Sequence, residues 1–167
     1  MPSPLENILM NSYKDQMILF MKDHPGYFNE VLELAISNKQ PYAWRSAWLL
    51  WSCMDENDER IQKRIPDLIA AVEGKKDGHQ RELLKILYLM ELTEEHEGLL
   101  FSICSDIWEK IGKNPSVRFT AFQFIIKIAK NYPELFNEIE FLMQDHYVES
   151  LSPGIRRSLL RRLGREL

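Results

Sequence analysis

The chain is predicted to be all-α, built from helix pairs that repeat along the sequence. Three observations carry this. The 167 residues include 22 Leu and 15 Ile but only 4 Val, 2 Thr and 7 Gly. A sheet demands more β-branched residues and more turn glycines. Apolar residues recur at i, i+3, i+4 and i+7 between clusters of Pro, Gly, Asn and Asp, which is the helical period. The helical segments also echo one another at a nearly constant spacing. With 45% apolar and 28% charged residues, the chain can build a core and has none of the composition of a disordered polymer. Its length suits one domain spanning residues 1–167.

Nine helices are expected. The first, 5–22, runs up to the His24-Pro25-Gly26 break, and the second, 26–38, ends at Asn38-Lys39-Gln40. Pro41 opens the third, 41–55, at a position where a missing N–H costs nothing. The fourth, 58–73, follows Glu56-Asn57-Asp58 and stops at Gly74, and the fifth, 78–92, lies between Gly78 and Thr93. The sixth, 94–112, runs from Thr93 to Gly112. Pro115, Pro133 and Pro153 then open the last three, at 115–131, 133–148 and 153–165. The connecting loops are short, so neighbours are expected to pack antiparallel.

Four segments align on an arginine: Tyr42-Ala-Trp-Arg45, Gly78-His-Gln-Arg81, Pro115-Ser-Val-Arg118 and Pro153-Gly-Ile-Arg156. The spacings are 36, 37 and 38, and three residues after each arginine stands an apolar residue: Trp48, Leu84, Ala121 and Leu159. A second echo pairs Pro25-Gly-Tyr-Phe28-Asn-Glu-Val31 with Pro133-Glu-Leu-Phe136-Asn-Glu-Ile139, 108 positions apart, or three periods of 36. Two helices per unit at this period point to a helical solenoid. The Trp, Leu-Gly and Tyr landmarks of tetratricopeptide repeats are absent, as is the ankyrin TPLH signature.

What remains, from about residue 25 to 165, resembles the HEAT and armadillo group. The Pro41–Leu50 block PYAWRSAWLL followed by about three helix pairs looks like small bacterial HEAT-like proteins. The resemblance implies a right-handed α-α superhelix of about four helix pairs with a terminal capping helix. It also implies a protein-binding scaffold. The serine-rich signature loop and long helix bundle of the adenylosuccinate lyase superfamily are absent, so that chemistry is set aside. Alkylpurine DNA glycosylases also carry HEAT-like folds, and a HEAT-like nucleic-acid-binding protein or a glycosylase-like enzyme is the alternative reading. Fold alone does not license it.

The net charge of −4 argues against broad nucleic-acid binding, because phosphate neutralisation needs a basic footprint. That number averages two regions. Residues 152–167 carry five Arg against Glu166, a balance of +4, which leaves −8 for the rest. Cys53 and Cys104 sit in apolar helical stretches and are read as buried free thiols, which fits a reducing compartment. The N-terminus lacks a basic region followed by an apolar one, and no stretch approaches the about 18 apolar residues of a membrane span, so a soluble cytoplasmic protein is expected.

Arg45, Arg81, Arg118 and Arg156 admit two readings. They form either a ladder gripping an acidic partner or an internal ladder in which each Arg bonds a carboxylate or a helix C-terminal carbonyl. Trp44, Trp48 and Trp51 share one helix face at i, i+4 and i+7. They either line a groove or belong to the core, while Trp108 is expected to be buried. In the last helix, Arg156, Arg157, Arg161, Arg162 and Arg165 overlie the apolar stripe Ile155, Leu159, Leu160 and Leu163. This is either a binding patch, the solvated face of a capping helix, or a surface for self-association. None of the four histidines has the i, i+4 spacing of a helical zinc pair. No nucleophile elbow, phosphate loop or dinucleotide fingerprint is present. No catalytic residue, metal or cofactor is therefore assigned. The candidate binding residues are Arg45, Arg81, Arg118, Arg156, Arg157, Arg161, Arg162, Trp44 and Trp48, and the expected partner is a protein.

Overall fold

A computed structural model describes residues 1–164. Arg165, which closes the ninth expected helix and its basic cluster, lies outside them. All regular structure among the described residues is helical, as the scarcity of Val and Thr predicts. The chain forms two compact units, Met1–Glu91 and a second that begins at Leu92.

The first unit contains α1 (Pro4–Asn11), α2 (Lys14–Asp23), a 3-10 turn (Pro25–Tyr27) leading into α3 (Phe28–Ile36), α4 (Tyr42–Cys53), α5 (Glu59–Gln62), α6 (Ile65–Val72) and α7 (Asp77–Tyr88). Two expected helices are each split in two. At 5–22 the backbone extends at Ser12 and Tyr13 (ψ 152° and 163°). The Tyr13 N–H then donates to Gln16 Oε1 at 3.0 Å, which starts a new helix. At 58–73, Asp58 caps the short α5 by accepting from the Arg60 N–H. Pro66 has no N–H to give to a carbonyl one turn earlier, so α6 must begin afresh beside it. Gly74 adopts φ +81° between α6 and α7, a turn that a side chain would strain.

Helix α4 is the hub of this unit and packs against α1, α2, α3 and α7. Its core face is Ala43, Ser46, Ala47, Leu49 and Leu50, all fully buried. Small residues there let neighbouring backbones approach closely, and the bulky tryptophans are left on another face.

The second unit contains α8 (Glu94–Glu109), α9 (Pro115–Ala129), a 3-10 turn (Pro133–Leu135) into α10 (Phe136–Leu142), α11 (Asp145–Val148) and α12 (Pro153–Arg162). Here 133–148 is split, because the backbone extends at Gln144 (ψ 149°) before α11. Helix α9 forms the core with α8, and α12 packs on α9 through the buried Leu159. Trp108 is fully buried, with its ring centroid 4.4 Å from that of Phe122. The echo at Pro25 and Pro133 appears as the same local structure, a 3-10 turn running straight into an α-helix. The packing differs: Phe28 is buried and Phe136 is 45% exposed.

Helix ends are closed by side chains from elsewhere in the same unit. Each helix leaves its last carbonyls without an intrahelical partner. Arg45 Nη1 donates to Leu9 O of α1 at 2.6 Å. At the end of α3, Lys75 Nζ donates to Ile36 O and Ser37 O, both at 3.0 Å. His79 Nε2 donates to Ala35 O at 2.7 Å, while its Nδ1 accepts from Gln40 Nε2 at 3.0 Å. The fully buried Arg118 gives Nε to Trp108 O (2.9 Å), Nη2 to Tyr147 O (2.6 Å) and Nη1 to Ser150 Oγ (3.1 Å). Arg156 Nε reaches Val148 O at 2.9 Å.

Two predictions come from these caps. Burial lowers the His79 pKa below its ordinary 6.5, so the unfolded chain takes up a proton at higher pH than the folded one. Stability is therefore fully present above about pH 6.5 and declines as pH falls below it. Asp58, held down at about 2 chiefly by its hydrogen bond from Arg60, stays ionised through this window. Thermal unfolding is expected to show a lower midpoint at about pH 5.5 than at about pH 7.5, with His79→Gln flattening the difference. Replacing Arg118 by Met strands three acceptors and is expected to cost about 3 kcal/mol in urea unfolding. The exposed Arg157→Met is expected to change stability by less than about 0.5 kcal/mol.

Candidate functional site

The outer face of α4 forms one wall of a groove in the first unit, with a cavity of about 560 Å³. Tyr13 and Lys14 enter from the start of α2, Trp44, Arg45, Trp48 and Trp51 from α4, and Arg81, Glu82 and Lys85 from α7. The helical period explains the arrangement. Positions 44, 48 and 51 stack along one side of α4, and 78, 81, 82 and 85 along the facing side of α7. Gly78 lets the two approach, since a Cβ there would lie 3.2 Å from Trp44 Nε1.

The tryptophans are not core. Trp44 is 38% exposed, and Trp48 and Trp51 are half-buried. The Trp48 and Trp51 rings meet edge to face with centroids 6.3 Å apart. Lys14 Nζ stands 5.0 Å from the Trp48 ring and Lys85 Nζ 4.5 Å from the Trp51 ring, within cation–π range. The buried Glu82 accepts from Arg81 Nε at 2.9 Å and from Trp51 Nε1. One carboxylate thus orients an indole and a guanidinium, and four cations face that single acid. The arrangement suits planar or apolar groups carrying negative charge.

Of the residues expected from sequence, Trp44, Trp48, Arg45 and Arg81 are brought together in this groove. Arg118 and Arg156 lie in the second unit on helix-end carbonyls. Arg157, Arg161 and Arg162 are exposed on α12, with the Arg162 guanidinium 5.8 Å from the Phe119 ring. Sequence reasoning missed Tyr13, Lys14, Glu82 and Lys85. Lys85 was findable, one helical turn beyond Arg81, whereas Glu82 is one of 25 acidic residues without a distinguishing motif. Cys104 is buried, but Cys53, the last residue of α4, is only half-buried. Desolvation raises both thiol pKa values, that of Cys53 to about 11.

Among the described residues, no group of three or more His, Cys, Asp or Glu is placed to hold a metal ion. No described helix is long and apolar enough to cross a membrane. A family model described as a HEAT repeat domain matches residues 2–163. No curated protein and no solved structure matches the chain.

The thiols give a direct check. At about pH 7.5 an aromatic disulfide reagent is expected to leave Cys104 untouched in the folded protein and to modify Cys53 slowly, with mass spectrometry reading each site. Both are expected to react at once in denaturant.

Proposed function

Since the chain belongs to the HEAT repeat domain family, we propose that it works as a helical-repeat binding module that takes an acidic protein segment in the groove over α4. One observation carries this reading: three tryptophans and four cations converge on a single groove. Trp and Arg are the residues that most often anchor protein interfaces, and complementary charge sets partner choice and encounter rate. Glu82 supports the reading by holding Trp51 and Arg81 in place before any partner arrives, which limits the entropy lost on binding. The family match runs unbroken through both compact units, which supports taking residues 2–163 as one repeat domain. Two cysteines with raised thiol pKa values and no disulfide fit a reducing, cytoplasmic setting.

The test is a fluorescence titration, because partner binding would change the emission of the groove tryptophans. A disordered peptide of alternating Glu and Leu is expected to bind and to shift that emission. The double variant Lys14→Glu, Lys85→Glu is expected to bind at least about tenfold more weakly, or about 1.4 kcal/mol. Both side chains sit at the groove and outside the helix-end caps, so the fold should be kept. If single-stranded DNA of equal charge binds and the peptide does not, the protein-segment reading is wrong and a stacking platform for bases replaces it.

A further inference from the structure

The second unit holds a different surface. Two cavities, of about 270 and 290 Å³, lie along α8 and meet at Gly98 and Phe101. Glu94 and Glu134 border the first, and Asp106, Glu109 and Glu138 the second. Phe101 forms the shared floor, and Phe141, 50% exposed, stands at the far end. Among the described residues lining the two, none is Lys or Arg.

We propose that this acidic trough with an aromatic floor is a second docking surface, and that its occupant is a basic amphipathic helix of a partner protein. Shape argues for a helix. The trough follows α8 from Glu94 to Glu109, a run of about 22 Å at 1.5 Å per residue, which matches about four turns of a helix laid alongside. Charge argues for a basic one, since five carboxylates rim an apolar floor with no cation among them. Apolar contact with Phe101 and Phe141 supplies the anchoring, and the rim selects the sign of the partner.

Gly98 is the third argument. It stands inside α8, where glycine weakens a helix relative to alanine. Its φ is not in the left-handed region, and a Cβ there would meet nothing within 4 Å. Neither backbone nor packing calls for glycine. Gly98 borders both cavities, and its missing side chain leaves the space between them open.

The experiment is fluorescence anisotropy at about 0.1 M salt, where long-range attraction between exposed charges is largely screened. The probe is a labelled peptide of about 16 residues with Leu on one helical face and Lys on the other. The control peptide replaces Lys by the uncharged Gln, which suits neither the acidic trough nor the cationic groove over α4. The Lys peptide is expected to bind at least about tenfold more tightly than the Gln peptide. Gly98→Leu, which fills the junction, and Phe141→Ser are each expected to weaken binding about tenfold or more. Phe136→Ser, at an exposed residue outside both cavities, is expected to leave it unchanged. Circular dichroism verifies each fold, and if Gly98→Leu fails to fold, Phe141→Ser decides alone. Equal affinity for wild type and the folded trough variants overturns the proposal, as does equal affinity for the Lys and Gln peptides. Neither result bears on the groove over α4, whose test uses a different peptide and different variants.

Discussion

The carbonyls left open at helix C-termini are the constraint on which this structure turns. The described helices run from 4 to 16 residues, so ends are numerous relative to middles. A buried carbonyl without a donor costs free energy comparable to a lost hydrogen bond. The chain answers with donors from distant residues. Arg45 serves α1, Lys75 and His79 serve α3, and Arg118 serves α8 and α11. Gln80 closes α6 by donating to Val72 O at 2.9 Å, and Trp108 closes α10 by donating to Leu142 O at 2.7 Å. Apolar burial supplies the larger driving force. These directional bonds specify which helix end meets which side chain.

The groove over α4 inherits its geometry from that arrangement. Arg45 lines the groove while holding Leu9 O. Gln40 donates to His79 through its Nε2 and accepts from the Trp44 N–H through its Oε1 at 3.1 Å. The bond that seats Trp44 at the start of α4 is thereby tied to the imidazole closing α3. The small core face of α4 completes the account. With Ala43, Ser46 and Ala47 turned inward, Trp44, Trp48 and Trp51 have no room in the core and face the groove, where they meet the cationic side of α7.

The period of 36–38 was legible in the sequence because Arg45, Arg118 and Arg156 each close a helix end at that register, while Arg81 holds the same register and pairs with the Glu82 carboxylate. Helix type was legible for the same reason it usually is, since apolar spacing reports the face that must be buried. The breaks at Ser12-Tyr13 and Gln144 were not legible, because no Gly or Pro marks them. Half of the groove was also readable: Trp44 and Trp48 by their spacing, Arg45 and Arg81 by recurrence. Tyr13, Lys14 and Glu82 come from other elements, or from residue types too common to single out, and only three-dimensional packing brings them in. Phe28 and Phe136 show the limit most plainly. The same local motif makes the same turn, yet one ring lies in a core beneath the Arg60 guanidinium, 3.6 Å from its centroid, and the other faces solvent.

Arg118 carries a consequence for the order of assembly. During synthesis the chain emerges from its N-terminus, so this guanidinium appears together with Trp108 O but well before Tyr147 and Ser150, which follow it by 29 and 32 positions. Until those residues leave the ribosome, α8 and α9 hold a cation that has met one of its three acceptors. Water must supply the rest, and a hydrated guanidinium holds that part of the core open. The nascent second unit therefore closes late, when α11 arrives to dry its centre, and a chain interrupted before residue 147 would leave that centre wet.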